Sequence, residues 1–384
     1  MRIALDSGPL TSGHAVRGIG VMVSELIEAL GQEGKKVKGE KITIDAFDFS
    51  TNYQLLTTSS YDIVHYPYFF PYALTLPKKK SGKKMIVTIQ DLIHLIYPKQ
   101  YPPGIRGKIN FYRQKLRLKN IDAVITISET SKKDIVRFLG ISAEKVYVVH
   151  LAPRKVFKKL RNEEIKKIKK KYKLPESFVL YVGDVNYNKN IPGLIQACKL
   201  AGIPLVIVGK HALEIEEGGV DLHLLRGPRD WLRFLFNIPH PELAHYKQLT
   251  KDFTNSKKVL RLGFVPNEDL NAIFNLATVY VQPSFYEGFG LPVLEAMACG
   301  TPVVIAKTNA LVEIAMGAAL VADPKDPREM AERITEILKN PSMVRLRSPL
   351  RTSLIKKGFE RAREFSWEKT AGEMIEIYKL LASS

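Results

Sequence analysis

The feature that most constrains the fold of this chain is the alternation of short apolar, β-rich runs with segments of helical periodicity. In the first half, the predicted strands are residues 2–5, 42–47, 63–66, 85–89, 123–127 and 146–150. Helical periodicity lies between them, most clearly at residues 20–32 and in a basic amphipathic stretch near 107–119. Parallel strands joined by crossover helices produce this alternation. The first half is therefore predicted to be a doubly wound α/β sheet.

A second alternating series follows a Pro-flanked, charge-dense segment at residues 151–175, which is predicted to carry one helix. The strands predicted in this second series are residues 178–184, 204–209, 259–264, 278–282, 301–306 and 318–323. The segment at residues 211–257 is too long to be a structureless loop. It is therefore predicted to be an insertion with helices of its own. The apolar spacing at residues 365–383 predicts an amphipathic C-terminal helix. The second half is thus predicted to be another doubly wound α/β sheet.

The length of 384 residues suggests two or three domains, at about 150 residues per domain. The predicted division is an N-terminal domain at 1–160, a basic linker at 161–177, a C-terminal domain at 178–364 and a final helix at 365–384. We expect that final helix to pack back toward the N-terminal domain.

The composition excludes several classes of protein. With 45% hydrophobic and 25% charged residues, the chain is neither disordered nor collagen-like. Two cysteines far apart, Cys198 and Cys299, cannot form a zinc cluster or a disulfide framework, which suggests a reducing compartment. The N-terminus becomes polar too early for a secretory signal, and no apolar run reaches the roughly 18 residues of a membrane span. A cytoplasmic location is expected, with peripheral attachment to the inner membrane face as an option.

The charge balance indicates an acidic partner. Lys and Arg number 58 against 39 Asp and Glu, a formal net charge of +19. Such an excess suits nucleic acid, an anionic membrane surface or a phosphorylated substrate. The basic residues concentrate at 154–173 and 78–84, which form either solvated surfaces or a docking site for anionic lipid. No nucleic-acid-binding motif accompanies them, so nucleic acid is not expected.

Two glycine-containing loops follow predicted strands. Ligands of open α/β sheets bind outside the carboxyl ends of the strands. Gly18 and Gly20 enter a helix after the first strand, where they form either an anion site or an ordinary tight turn. In the second loop, Gly183 lets the chain turn and Lys189 precedes a helix. Its ammonium group either neutralises a leaving phosphate or is an ordinary surface charge.

The third segment, residues 284–304, carries two carboxylates around a glycine loop. Glu287 lies in the loop and Glu295 in the short helix that follows it. Both could bind one polyhydroxylated ligand, and the N–H groups at Gly290 and Leu291 suit a diphosphate. A favourable helix dipole would explain Glu295 but not Glu287.

The stretch EGFGLPVLEAMACGTPVV resembles the E-x7-E signature of retaining, nucleotide-sugar-dependent glycosyltransferases of the GT-B fold, family 4 type (glycosyl transferases group 1). YVGDVNYNKN resembles the donor-phosphate loop of that family, and GIG its N-terminal glycine loop. VITISETSKKDIV and FSWEKTAGEMIEIY are similar to recurring family segments. The resemblance implies two Rossmann-like domains that face each other across a cleft, with the acceptor on the N-terminal domain and the nucleotide sugar on the C-terminal one.

The resemblance also implies an activity. A hexose would pass, with retention of configuration, from a GDP-, UDP- or ADP-linked sugar to a hydroxyl of a lipid-linked or saccharide acceptor, in cell-envelope polysaccharide or glycolipid synthesis. The implied catalytic residues are Glu287, Lys189, Asp91 and His94. The implied donor-binding residues are Gly18, Gly20, Gly183, Asn188, Gly288, Phe289, Gly290, Leu291 and Glu295. Because the chain has no Asp-x-Asp, we expect no metal, and no cofactor beyond the nucleotide sugar as co-substrate.

The sequence departs from the family pattern at two positions. Asn188 stands where the family commonly has arginine beside the lysine of the donor loop. Gln90 stands where the family has a histidine before Asp91, and His94 is the candidate replacement. Two alternatives remain at this level, a non-hydrolysing nucleotide-sugar epimerase and a non-catalytic basic binding protein. An epimerase would form product without any acceptor.

Overall fold

The computed structural model describes residues 1–11, 18–37, 41–58, 60–214, 231–232, 241–338 and 349–384. The chain divides into two compact units. The first consists of Met1–Pro98, Pro102–Ala152 and Phe365–Ser384, and the second of Lys99–Tyr101 and Pro153–Glu364. Each unit is built on one six-stranded sheet.

The sheet of the first unit contains the six strands predicted from the first half of the sequence. They are β1 (Arg2–Asp6), β2 (Thr43–Phe47), β3 (Ile63–Tyr66), β4 (Lys84–Thr88), β5 (Ala123–Thr126) and β6 (Val146–Val148). Their order is β2-β1-β3-β4-β5-β6, and all neighbours are parallel. Every residue of β3 and β5 is buried. Such continuous apolar strands are typical of a parallel sheet covered on both faces.

Helices cover this first sheet. They are Gly8–Thr11, Gly18–Lys36, Tyr53–Thr58, Ile93–Ile96, Gly104–Leu118, Glu129–Asp134 and Trp367–Ser383, with a π-helical turn at Ile135–Leu139 and a 3-10 turn at Ala143–Lys145. The C-terminal helix Trp367–Ser383 packs against Gly18–Lys36. It is also tied to the sheet through His65, whose Nδ1 lies 2.7 Å from the Tyr378 hydroxyl and whose Nε2 lies 2.7 Å from Thr88 Oγ1.

The sheet of the second unit contains the six strands predicted from the second half. They are β7 (Val179–Val182), β8 (Leu205–Val208), β9 (Val259–Arg261), β10 (Val279–Gln282), β11 (Val303–Ala306) and β12 (Leu320–Ala322). Read from one edge, their order is β9-β8-β7-β10-β11-β12, all parallel. This is the 3-2-1-4-5-6 order of Rossmann sheets, in which the winding reverses between β7 and β10. The loops that leave these two strands therefore meet at the switch point, where such sheets bind ligands.

The helices of the second unit include two that lie within the predicted insertion, His211–Glu214 and Pro241–Thr254. The described helices of this unit are Asn162–Lys171, Ile191–Ala201, His211–Glu214, Pro241–Thr254, Asn267–Leu276, Leu291–Ala298, Asn309–Ala315, Pro327–Leu338 and Pro349–Arg363, with a 3-10 turn at Tyr187–Lys189. Residues 215–230 and 233–240 of the predicted insertion lie outside the described residues. None of the helices in the described part of the chain is long and apolar enough to cross a bilayer.

Residues 161–177, which the sequence suggested as a linker, pack inside the second unit. Their helix, Asn162–Lys171, lies against the helix Asn267–Leu276. Lys171 Nζ lies 2.5 Å from a carboxylate oxygen of Asp269, and the Tyr172 hydroxyl donates to the same oxygen at 2.7 Å. The segment therefore contains the predicted helix, but ion pairing and packing fix it to the unit that follows.

Candidate functional site

The loop that follows β7 is shaped by a close approach of two backbones. Gly183 has φ = +149°, and a Cβ there would lie 2.9 Å from the Tyr181 hydroxyl. At Gly209, which follows β8, a Cβ would lie 2.1 Å from the carbonyl oxygen of Gly183. No side chain fits at Gly209, because the backbone at Gly209 lies directly against the backbone at Gly183. This contact sets the course of the segment that leads to Lys189.

Lys189 and Glu287 form an ion pair at the switch point. Lys189 Nζ lies 2.8 Å from both carboxylate oxygens of Glu287. Glu287 Oε1 also accepts hydrogen bonds from Gln282 Nε2 at 2.8 Å and from Ser284 Oγ at 2.6 Å. Glu287, Gln282 and Ser284 are all buried. Three side chains thus fix the position of one carboxylate where β7 and β10 end.

Further hydrogen bonds join the two loops. The Phe285 N–H donates to the Asn188 carbonyl at 2.8 Å, and Asn188 Nδ2 donates to the Tyr286 carbonyl at 3.2 Å. Asn190, with φ = +53°, donates from Nδ2 to the Pro283 carbonyl at 3.0 Å. These bonds are made on both sides of Lys189 in sequence. The Lys189–Glu287 distance is therefore set by backbone as well as by charge.

Asn188, which replaces the family arginine, is part of this scaffold. Its side chain is 2% exposed, and its Oδ1 accepts a hydrogen bond from the Tyr101 hydroxyl at 2.9 Å. The same hydroxyl accepts from the Asn188 N–H at 3.3 Å. Tyr101 belongs to the second unit although it precedes that unit in sequence by some 50 residues. No sequence signal connected Tyr101 with the site.

The glycine loop after β10 leads into the short helix Leu291–Ala298. Gly288 and Phe289 are buried, and Gly290 has φ = +103°. A Cβ at Gly290 would lie 2.6 Å from Leu311 Cδ2, so both conformation and space require glycine there. The helix begins at Leu291, directly after Gly290. The first N–H groups of a helix have no partner within it, so this end of the helix favours an anion.

Glu295 is paired with an arginine that the sequence did not reveal as a site residue. Arg154 Nε lies 2.8 Å from Glu295 Oε1, and Glu295 is 1% exposed. Burial raises the pKa of the Glu295 carboxyl, and the nearby Arg154 guanidinium opposes that rise. Arg154 Nη1 donates in turn to Asn267 Oδ1 at 2.7 Å. The Arg154 guanidinium carbon Cζ lies 4.5 Å from the Phe157 ring centroid. From the sequence, Arg154 was recognised only as the first residue of a basic segment.

A helix from the predicted insertion contacts the loop that leads from β7 to Lys189. His245 Nε2 lies 2.8 Å from the Val185 carbonyl oxygen, and the Tyr246 hydroxyl donates to Asn186 Oδ1 at 3.2 Å. The His245 ring also packs on Tyr187, with centroids 5.9 Å apart. Burial lowers the pKa of His245, which favours a neutral ring whose Nε2–H donates to the carbonyl. Sequence reasoning missed both His245 and Tyr246.

The candidates on the first unit lie in two places. Gly18 and Gly20 are in the first turn of the helix Gly18–Lys36, and residues 12–17 before them lie outside the described residues. A Cβ at Gly18 would meet nothing within 4 Å, so sterics do not require glycine there. Asp91 Oδ1 accepts a hydrogen bond from the Ile93 N–H at 3.1 Å.

His94 packs on aromatic rings after β4. Its ring centroid lies 4.7 Å from that of Phe70. Gln90, at the position of the family histidine, has an Nε2 that is buried with no hydrogen-bond partner among the described residues. The Gln90 carbonyl accepts from Ser131 Oγ at 2.8 Å. Within the second unit the structure brings together Lys189, Glu287 and the glycine loop, whereas Asp91 and His94 belong to the first unit.

Comparisons with known proteins establish the family. Residues 162–361 match the family model described as glycosyl transferases group 1, and residues 37–152 match the model for glycosyltransferase family 4. The first match alone covers just over half of the chain. The chain belongs to the glycosyl transferases group 1 family. In the described part of this glycosyltransferase, no cluster of three or more His, Cys, Asp or Glu residues is arranged to hold a metal ion.

Relatives and solved structures agree with this assignment. The glycosyltransferase is 30% identical to O-antigen chain mannosyltransferase B of Escherichia coli over 322 residues, 83% of this chain and 74% of the relative. It is 26% identical over 335 residues to the serotype-specific mannosyltransferase WbdA of the same species, and it spans 37% of that longer protein. The structure of HepE from Anabaena superposes with a TM-score of 0.68 at 16% identity and covers 99% of both chains. The fold is GT-B, with a Rossmann-like sheet in each unit.

Proposed function

We propose that this glycosyltransferase transfers a mannosyl group from a nucleotide-diphosphate sugar to a hydroxyl of a saccharide or lipid-linked acceptor, with retention of configuration, in cell-envelope polysaccharide synthesis. The observation that carries the proposal is the Lys189–Glu287 pair, with both oxygens of the carboxylate 2.8 Å from the ammonium nitrogen, at the Rossmann switch point. The O-antigen mannosyltransferase relatives support the sugar and the pathway class. The HepE complex with UDP and glucose supports a nucleotide donor.

The proposed chemistry uses Lys189 and Glu287 on the two sides of the bond that breaks. Glu287 would accept hydrogen bonds from hydroxyls of the transferred sugar, and Lys189 would stabilise the diphosphate as it leaves. The N–H groups of Gly290 and Leu291 would add donors for the same anion. As the bond from the anomeric carbon to the phosphate oxygen breaks, the acceptor oxygen bonds to that carbon on the same face. The acceptor proton then passes to the departing phosphate oxygen.

Glu295 is proposed to bind the ribose of the donor. A carboxylate accepts hydrogen bonds from a pair of hydroxyls only when it is ionised. Burial favours the protonated form of Glu295, while the Arg154 guanidinium 2.8 Å away favours the ionised form. Arg154 is therefore proposed to keep Glu295 charged at neutral pH.

Transfer is proposed to need no metal ion. The chain has no Asp-x-Asp, which commonly holds a metal bridge to the diphosphate, so Lys189 and helix N-terminal N–H groups would carry that role. Turnover should therefore survive EDTA. Complete loss of turnover in EDTA, restored by Mg²⁺ or Mn²⁺, would contradict the proposal.

Peripheral attachment to the inner membrane face is also proposed. A net charge of +19 favours an anionic lipid surface, and a lipid-linked acceptor would be presented there.

The test of the proposed reaction is product analysis with labelled nucleotide sugars. The purified protein is incubated with GDP-mannose, UDP-glucose or ADP-glucose, with and without a mannose-terminated oligosaccharide, and the product is characterised by NMR. We expect an acceptor-dependent product whose new linkage has the anomeric configuration of the donor. An inverted linkage contradicts retention, and an altered nucleotide sugar formed without acceptor indicates an epimerase instead.

A further inference from the structure

The helix Gly104–Leu118 presents a row of large apolar side chains to solvent. The row consists of Ile105, Ile109, Tyr112 and Leu116, which are 65%, 49%, 66% and 45% exposed. Their spacing of four, three and four residues places them on one face of the helix. Single exposed apolar residues are common on protein surfaces, whereas a continuous row marks an interaction site.

The opposite face of this helix is firmly seated in the first unit. Gln114 is fully buried, and its Nε2 donates to Thr75 Oγ1 at 2.7 Å and to the Phe70 carbonyl at 3.2 Å. Asn110 Nδ2 donates to the Tyr72 carbonyl at 3.1 Å. One face of the helix thus packs on the core of the unit. The apolar row on the other face is not explained by packing within the unit.

Basic side chains border the row on both sides. At about 100° per residue, Arg106 and Arg113 flank one side of the row, and Lys108 and Lys115 flank the other. All four residues are exposed. Residues 104–121 contain no Asp or Glu. The exposed face of the helix is therefore apolar along its centre and positively charged along both edges.

We propose that the helix Gly104–Leu118 is the surface by which this glycosyltransferase lies on an anionic lipid bilayer. The apolar row enters the boundary between headgroups and acyl chains, and the basic borders contact anionic headgroups. The inference rests on the proposed function in one respect, since it places the enzyme where a lipid-linked acceptor would be found. A second copy of the chain is a poorer occupant, because two-fold pairing of this face would bring like charges together.

The basic segment at 154–173, expected from the sequence as a lipid-docking candidate, is less suited to the role. Three of its basic residues have carboxylate partners within the second unit, namely Arg154 with Glu295, Lys169 with Glu176 and Lys171 with Asp269. Its charge is therefore partly neutralised before any lipid approaches. The helix Gly104–Leu118 has no acidic residue of its own to neutralise its five basic ones.

The test is flotation of the full chain with vesicles of phosphatidylcholine, with or without phosphatidylglycerol, at low and high salt. Ile109→Ser combined with Tyr112→Ser should lower partitioning into the anionic vesicles by tenfold or more, an order-of-magnitude expectation for burying two apolar side chains. Arg106→Gln combined with Arg113→Gln should lower it about fivefold per charge and reduce its salt dependence. The matched control, Lys166→Gln with Lys167→Gln, removes two exposed charges from the helix Asn162–Lys171 and should have little effect.

Three results would overturn the inference. The first is a wild-type chain that does not bind anionic vesicles at low salt. The second is a control variant that loses as much binding as the helix variants. The third is a wild-type dimer that the apolar substitutions convert into a monomer. A melting shift with GDP or UDP is measured on every variant, and it should match that of the wild type. A variant that loses vesicle binding but keeps the melting shift with GDP or UDP shows that the helix acts in membrane binding and not in nucleotide binding. Normal vesicle binding without sugar transfer would reject the proposed function and leave the membrane surface standing.

Discussion

The Lys189–Glu287 pair couples a positive and a negative side chain on different loops. Each is partly exposed, at 21% and 10% of the side chain, so water reduces the strength of the pair itself. Its value is positional, because Glu287 is also fixed by Gln282 and Ser284. In the proposed reaction, the donor meets groups that are already oriented, which lowers the entropic cost of reaching the transition state.

Replacing Lys189 tests this arrangement at a single residue. Lys189→Ala should lower both turnover and donor affinity by about one to two orders of magnitude, since a hydrogen bond to a charged group is worth roughly 1.5–3 kcal/mol. Glu287 would keep its bonds to Gln282 and Ser284, so the fold should persist. Lys199→Ala, an exposed lysine on the next helix, is the matched control. Equal kinetics in both variants would reject the assigned role.

His65 predicts how stability depends on pH. Burial lowers the pKa of His65 to about 3, so the folded chain keeps the ring neutral while the unfolded chain takes up a proton below its ordinary pKa of about 6.5. The free energy of unfolding should therefore fall as pH drops from about 6.5 toward 3, by roughly 1.4 kcal/mol per pH unit from this residue. His65→Gln should remove that slope in denaturant unfolding measured across this range. An unchanged slope would place the acid sensitivity elsewhere.

The residues of the site were predictable from the sequence only in part. The glycine loops and the two glutamates were visible because they form local sequence patterns that follow predicted strands. Their partners were not, because the Lys189–Glu287 contact spans 98 residues of chain and the Arg154–Glu295 contact spans 141. Contacts at such separations depend on the order of strands in the sheet, which local patterns do not show.

At the scale of elements, the strands were the most predictable feature. All twelve overlap predicted segments, because most of them are short apolar runs, as is typical of parallel strands covered on both faces. The switch point between β7 and β10 was not predictable, since these strands are separated in sequence by two others. The helix Pro241–Thr254 shows the same limit. Helices within the insertion were expected, while the contact of this helix with the loop after β7 emerged only from the packing.

That contact predicts a positioning role for His245. His245→Phe keeps a ring beside Tyr187 but loses the bond to the Val185 carbonyl. Because a net hydrogen bond is worth about 0.5–1.5 kcal/mol, the donor KM should rise about two- to tenfold. His245→Gln, which retains a donor N–H, should recover part of the loss. Lys247→Ala on the same helix is exposed and should leave the KM unchanged. An equal KM in wild type and His245→Phe would contradict the role.

At the scale of the whole molecule, the two units carry different proposed sites. The chain passes from the first unit to the second at Ala152–Pro153, eight residues before the boundary suggested by the sequence. A charge-dense, Pro-flanked segment looks the same in sequence whether it links two units or packs on one, so the boundary could not be read locally. The residues proposed to bind the donor, Lys189, Glu287 and Glu295, all lie in the second unit. The helix proposed to contact the membrane, Gly104–Leu118, lies in the first.

The measurement that tests the central claim most directly is calorimetric titration of a nucleoside diphosphate into two variants. In the proposed reaction, Glu295 binds the ribose of the donor and Glu287 binds the transferred sugar. Glu295→Ala should lower the affinity for the nucleoside diphosphate by about one to two orders of magnitude, since that ligand retains the ribose. Glu287→Ala should leave its affinity nearly unchanged and lower kcat with the full nucleotide sugar instead. If Glu287→Ala loses the nucleoside diphosphate while Glu295→Ala keeps it, the assignment of the pair is contradicted.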